Sequence, residues 1–247
     1  MNLEKVKVTY LEHSGFAVET EKHLLIFDYF NDKGEGAGRS LSNGVVGEET
    51  LRIDKEVLVF SSHSHGDHFN SVILKWRSWR PDIKYVLSND IILQETDSSI
   101  SFMGPYEEIE LAGVKIKSYG STDIGISFMV YVDGINIFHA GDLNWWYWWD
   151  DTPEEIEKAE RWFKEEVERI VGEKIDIAFF PVDPRLEHNY CKGALYFIEK
   201  LQPRYLVPMH FWGNFDVCSK FKEEAAGLST EVVEISSRGE RILPQGR

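Results

Sequence analysis

Basic residues are scarce in this sequence. Its 27 Lys and Arg stand against 42 Asp and Glu, a formal net charge of -15. Nucleic-acid binding needs clustered Lys and Arg to neutralise phosphates, and no Lys/Arg run is present. The same balance opposes docking on an anionic lipid surface. Cysteine is scarcer still, with Cys191 and Cys218 alone. Two distant cysteines make neither a C-x-x-C motif nor a disulfide scaffold, so both read as packing thiols. No apolar run approaches the ~20 residues of a membrane span. The opening "MNLEKVKVTY" lacks the apolar stretch of a signal peptide. These absences describe a cytoplasmic protein with a small-molecule substrate, no nucleic-acid or membrane partner, and room for self-association as a homo-oligomer.

What is present is ordinary globular material: 247 residues, 43% hydrophobic and 28% charged. No break in composition divides them, and residues 1–247 read as one domain. "VKVTYLEHSGFAVET" alternates like a half-buried strand pair, and "HLLIFDYF" is a continuous apolar run ending near Asp28. The glycine-rich residues 31–50 read as a long surface loop. "VLVFSS" is a strand, and Val72, Ile73 and Trp76 take helical spacing up to Pro81. Asp133-Gly134 folds a hairpin. Thr152, Pro153 and Glu155 form a capping box that starts a helix whose apolar face carries Phe163, Val167 and Ile170. "IDIAFFPVD" and "YLVPMH" are further strands. A last helix runs near Phe215 to Ala226, followed by a hairpin around Ser237 to Gly239. Runs of strands with interspersed helices predict an α/β domain of two sheets with helices outside.

Chemistry concentrates in "SSHSHGDHFN", residues 61–70. His63, His65, Asp67 and His68 follow directly on an apolar strand. Imidazoles are the commonest protein ligands for zinc and similar ions, and a carboxylate adds a hard oxygen. Gly66 is expected to allow the tight turn between them. Six residues cannot surround a metal alone, so partners are needed from elsewhere. "INIFHAGDL" and "YLVPMHFWG" put Asp142 and His210 in the same position, just past apolar strands.

These motifs resemble the metallo-β-lactamase superfamily. H-x-H-x-D-H carries most of the resemblance. Asp28 after "LLIF", Asp142 in "HAGD" and His210 in "PMH" match its other motifs. "LEHSGFAVET" followed by "LLIFD" is similar to the branch containing L-ascorbate-phosphate lactonase. The resemblance implies a four-layer αβ/βα sandwich of two mixed sheets packed face to face. It implies one or two divalent ions, zinc first, with manganese, iron or nickel as alternatives. His63 and His65 would serve one metal, Asp67, His68 and His210 the second, with Asp142 bridging. Asp67 would also act in catalysis by orienting hydroxide, and Asp28 would fix a ligand's orientation. The implied activity is hydrolysis of a small ester, lactone or phosphoester by metal-bound hydroxide.

One departure stands out. The family usually has a histidine before the "HAGD" hairpin, where this chain has "KIKSYGSTDIGISF". Ser121, Thr122 or Asp123 occupies that stretch. Asp123 or water could replace the imidazole, and a deficient first site is the expectation. His188 and Arg185 in "PRLEHNY" are candidates for substrate binding, with a surface histidine and a structural ion pair as the plain readings. His13 either faces the site or packs, and His139 is expected to make a structural hydrogen bond. Trp145 to Trp149 either wall a site or pack; tryptophans on both parities cannot all face one side. Two rivals to the small-molecule hydrolase are a nucleic-acid phosphodiesterase and a non-catalytic metal-binding protein with an incomplete first site.

Overall fold

A computed structural model describes residues 3–34 and 38–243. The first half of the chain builds one sheet and the second half another. β1 (Lys7–Glu12), β2 (Gly15–Glu19), β3 (His23–Phe27), β4 (Glu56–Ser61), β5 (Lys84–Ser88) and β6 (Ile100–Met103) lie side by side in that order. β7 (Glu108–Leu111), β8 (Val114–Tyr119), β9 (Ser127–Val132), β10 (Ile135–His139), β11 (Ile177–Pro181), β12 (Tyr205–Met209) and β13 (Glu231–Val232) do the same in the second sheet. β14 (Arg241–Leu243) returns to pair antiparallel with β1. Each sheet mixes antiparallel pairs with a parallel block: β3 to β6 in one, β10 to β13 in the other.

The alternation of strand side chains decides the layers. Along β3, Leu25 and Phe27 belong to the large core, while Leu24 and Ile26 belong to a second cluster on the opposite face. β4 repeats this, with Leu58 and Phe60 inward and Val57 and Val59 outward. The large core draws on residues from Val6 to Leu243. The first sheet's outer face is covered by Leu51 of α1 (Glu48–Leu51) and by Ile73 and Trp76. On the second sheet lie α2 (Pro153–Ile170) and α3 (Lys192–Leu201), which contact β8 and β11 respectively. α4 (Asp216–Glu224) buries Val217, Cys218 and Phe221. This is the four-layer α/β sandwich implied by the sequence. α2 begins with the expected capping box, Thr152 Oγ1 accepting from Glu155 N, and the Asp133-Gly134 hairpin joins β9 to β10. Both cysteines are buried thiols.

Three local expectations are corrected. The segment after Phe69 is a 3-10 helix, Ser71–Ser78. Its two buried residues, Ile73 and Trp76, are three apart, the repeat at which side chains of a three-residue turn eclipse. Residues 31–50 are no free surface loop. Val45 and Val46 are buried, and the Arg238 guanidinium donates to the carbonyls of Asn31, Lys33, Gly44 and Leu11. Residues 35–37 lie outside the described part. The turn around Ser237 to Gly239 is not a hairpin within one sheet, for it carries the chain from the second sheet's side back to β1 in the first.

Candidate metal centre

The strand ends of both sheets meet at one edge of the sandwich, and the chemistry sits there. β4 feeds the segment with His63, His65, Asp67 and His68. β10 leads to Asp142, β11 to Asp183, and β12 to His210. The β1–β2 turn presents His13, Asp28 lies just past β3, and the β8–β9 connection carries Asp123. Several of these residues sit in the left-handed region unusual for non-glycine residues: His13 at φ 55, Asp28 at φ 40 and His210 at φ 64.

Candidate ligands of the two sheets come together where two glycines let backbones approach. A Cβ on Gly125 would meet Ser62 O at 2.2 Å and His63 Cβ at 2.4 Å. One on Gly141 would meet Ser62 Cβ at 2.7 Å. Gly66, expected to make the tight turn, has open space at its Cβ position and no left-handed φ. The steric need falls on the opposite sheet's loops, where backbone is pressed against backbone.

The imidazoles are held from behind. His68 Nδ1 donates to Asp28 Oδ2 at 2.7 Å. His210 Nδ1 donates to Asp183 Oδ2 at 2.9 Å. His63 Nδ1 lies 3.0 Å from Ser62 Oγ, which itself donates to Asp28 Oδ2 at 2.7 Å. Because Nδ1–H donates to these partners, the neutral form of each ring keeps its Nε2 lone pair for the front. All three Nε2 atoms turn to Asp142, at 3.4 Å for His63, 3.2 Å for His68 and 3.4 Å for His210. Asp28, fully buried, also accepts from Ser62 N at 2.7 Å. The geometry puts it behind the His68 ring.

Around this centre, His13 Nε2 is 3.4 Å from Asp67 Oδ2, and its ring lies 4.1 Å from that of His210. His65 Nδ1 is 3.7 Å from Asp123 Oδ2. Three sets of donor atoms lie close enough to share an ion: His13, Asp67, His68 and His210; His63, His68 and Asp142; His65, Asp123 and Asp142. Asp142, His63, His65, Asp67, His68 and His210 are therefore brought together. So are His13, left open by the sequence, and Asp123. Thr122 does other work, since its hydroxyl donates to Asn144 O at 2.6 Å and accepts from Asn144 N. His139 is structural: Nε2 donates to Ser14 O and Nδ1 accepts from Gly141 N.

Charge follows geometry. Burial opposes the Asp142 anion, but His68, His210 and His63 hold its carboxyl far below the usual carboxylate range. Burial likewise disfavours a charged His68, yet Asp142 and Asp28 outweigh it and push its pKa up to about 10. His13 goes the other way: burial, helped by His210 and His68, lowers it to about 4 against the pull of Asp67. Asp67 is held below its ordinary range despite burial, chiefly by His13 and His68.

The donor set fits a cation. His13 Nδ1 and Nε2, His63 Nε2, His68 Nε2 and Asp142 Oδ1 are buried without a hydrogen-bond partner among the described residues. Each such atom costs about 1–3 kcal/mol unless something pairs with it. Imidazole nitrogens and carboxylate oxygens converging in this way are the donors that zinc, manganese and iron share.

The centre opens into a cavity of about 400 Å³ lined by His65, Asp67, Thr122, Asp123, Asp142, Trp146, Trp148, Arg185 and His210. The Trp-rich stretch is divided between the cavity, the core and the surface, where Trp149 is exposed. Trp146 and Trp148 stack at 5.8 Å on the cavity side, while Trp145 is buried near Phe163 and Tyr196. His188 is a correction. It is exposed on the 3-10 segment Pro184–Asn189 and does not line the cavity. That segment kinks at Glu187, φ 52, one residue before His188. Asp183 went unnoticed in the sequence. Its signal was the same as Asp28's, an acid just past a buried strand.

A model described as "Beta-lactamase superfamily domain" matches residues 7–147, more than half of the chain. Curated relatives include a UPF0173 metal-dependent hydrolase of Thermococcus onnurineus, 28% identical over 219 residues, covering 83% of this chain and 84% of the relative. Another, of Pyrococcus horikoshii, is 27% identical over 251 residues, covering 96% and 99%. Among solved structures, Igni18, a metallo hydrolase of Ignicoccus hospitalis, superposes with a TM-score of 0.64 at 20% identity, covering 96% of this chain and 97% of that one. No helix of the described residues is long and apolar enough to cross a membrane. With the donor cluster at the strand ends and this match over residues 7–147, the chain belongs to the beta-lactamase superfamily.

Proposed function

We propose that this member of the beta-lactamase superfamily, a metal-dependent hydrolase, cleaves a small ester, lactone or phosphoester in the cavity beside Asp142. The observation that carries this reading is the convergence of three Nε2 atoms, each anchored at Nδ1, on one buried carboxylate. His65, Asp123 and Asp142 are one donor set, and His13, Asp67, His68 and His210 another; His63, His68 and Asp142 form the third, which links them. By the family resemblance His63 would join the first ion, and Asp142, beside His68 and His210, would reach both. The first set has a carboxylate where the family has an imidazole, so it is altered rather than short of a ligand. Zinc is the first candidate, and the carboxylate-rich first set also suits manganese or iron.

Bound there, divalent ions supply Lewis-acid polarisation of the electrophile and acidify water near neutral pH. The protein's own part is orientation and proton handling. Asp28, Ser62 and Asp183 fix the ring tautomers. Asp67, held as the anion by His13 and His68 and lining the cavity, is placed to orient the attacking water. Trp146 and Trp148 wall the cavity and exclude bulk water. The acidity of the chain and the lack of a Lys/Arg run favour a small substrate over a nucleic acid. A lactone or phosphorylated ester is the substrate favoured by the sequence's likeness to the lactonase branch.

The test is elemental analysis of the purified protein, joined to a panel of lactones, carboxylic esters and phosphodiesters. Chelation should abolish turnover and metal should restore it. Asp142→Ala should lower metal content and turnover together. A variant that keeps full metal and full activity would sink the proposal.

A further inference from the structure

We infer that Arg185 is the anchor for an oxyanion on the substrate, and that Trp148 seats a flat apolar group next to it. This rests on the hydrolase reading only for the location of the substrate. Arg185 alone among the cavity's described lining residues carries a Lys or Arg charge. Its guanidinium is held on one edge. Nε lies 3.0 and 2.9 Å from the two Asp183 oxygens, and Nη2 donates to Asp183 Oδ2 at 2.5 Å. The same Asp183 oxygen accepts from His210 Nδ1. The guanidinium carbon lies 5.5 Å from the Trp148 ring centroid and 5.1 Å from that of Trp212. These contacts fix the plane of the group. Nη1 makes no hydrogen bond to any described residue, and the side chain is about half exposed, at 47%. A fixed guanidinium with a free edge at a cavity wall is built to donate to a carboxylate or phosphoryl oxygen.

The competing account is structural: Arg185 could exist only to steady Asp183 and, through it, His210. That account explains Nε and Nη2. It does not explain why the third nitrogen has no partner among the described residues on a side chain that lines the cavity. Nor does it explain why Trp146 and Trp148, stacked within 5° of parallel, continue the wall beside it. The Arg185–Asp183 pair is neutral as a whole. Recognition therefore depends on the donor edge and its direction, so a lysine should recover only part of it.

Calorimetric titration of the metal-loaded protein tests this with ligands that cannot be turned over. Phenylphosphonate and benzoate present the two oxyanions on a flat ring. Benzyl alcohol presents the ring without the charge, and inorganic phosphate the charge without the ring. The wild type should bind at least one aromatic oxyanion about tenfold to a hundredfold more tightly than benzyl alcohol, the worth of a charge-assisted hydrogen bond. Arg185→Gln should erase that preference and Arg185→Lys keep part of it. Trp148→Ala should weaken the aromatic oxyanions and spare inorganic phosphate. A preference for phenylphosphonate over benzoate would assign the phosphoryl class, and the reverse the carboxylate class. The inference is overturned if Arg185→Gln retains the preference, if it weakens all four ligands equally, or if neither aromatic anion binds. Failure of every hydrolysis assay alongside Arg185-dependent anion binding would instead overturn the catalytic reading and leave this one standing.

Discussion

Replacing Asp28 with asparagine changes one atom and should cost both stability and metal. Asp28 is fully buried and accepts three hydrogen bonds, from Ser62 N, Ser62 Oγ and His68 Nδ1, each at 2.7 Å. An amide has one acceptor oxygen and one donor nitrogen, so it cannot serve all three. If its oxygen faces His68, its NH2 meets the Ser62 N–H and a buried donor goes unpaired. If it is flipped, His68 must accept at Nδ1 and carry its proton on Nε2, which removes the lone pair facing Asp142. One unpaired buried donor costs about 1–3 kcal/mol. For a chain of this size that is a fall in Tm of roughly 2–12 °C. Loss of such a supporting partner typically lowers metal affinity about 10- to 100-fold. Thermal melting of stripped protein reads the first effect, and competition against a chromophoric chelator reads the second. Asp28→Asn with wild-type melting and wild-type metal affinity would refute the tautomer argument.

Asp123→Ala should weaken one metal-binding step in a titration of stripped protein and leave the other near the wild type. His63→Ala should affect that same step; a variant with two unchanged steps would return Asp123 to the role of a surface acid. In stripped protein, stability should fall as pH drops from 6.5 through about 4, because His13 refuses a proton when folded and takes it when unfolded. Denaturant titrations across that range check this, and His13→Gln should flatten the limb. His68 has the opposite sign: its raised pKa gives stability present at neutral pH and lost as pH rises through about 10. Gly125→Ala should lower Tm and metal content together. Its Cβ would lie 2.2 Å from Ser62 O at φ 81, and backbone on both sides cannot yield. Normal melting and metal content in that variant would show that the loop can move away from His63.

The sequence by itself determined most of the strands and the long helix α2, because period-two alternation and capping chemistry are local. β3, the Asp133-Gly134 hairpin and the start of α2 at Thr152 all follow from neighbours a few residues apart. It also made the donors legible, since His63, His65, Asp67, His68, Asp142 and His210 all follow apolar strands whose ends must lie at a sheet edge. What it could not decide was which residues meet across that edge. Asp123 and His13 stand far from the histidine segment in the chain, and only the packing of the two sheets brings them to His65 and Asp67. Asp183 and Arg185 acquired their meaning in the same way, through His210 on the neighbouring strand and two tryptophans from other segments. His188, three residues from Arg185, is exposed and does not line the cavity. Such choices belong to tertiary structure, because ligation and recognition depend on distances of 3 to 4 Å between side chains that sequence spacing does not encode.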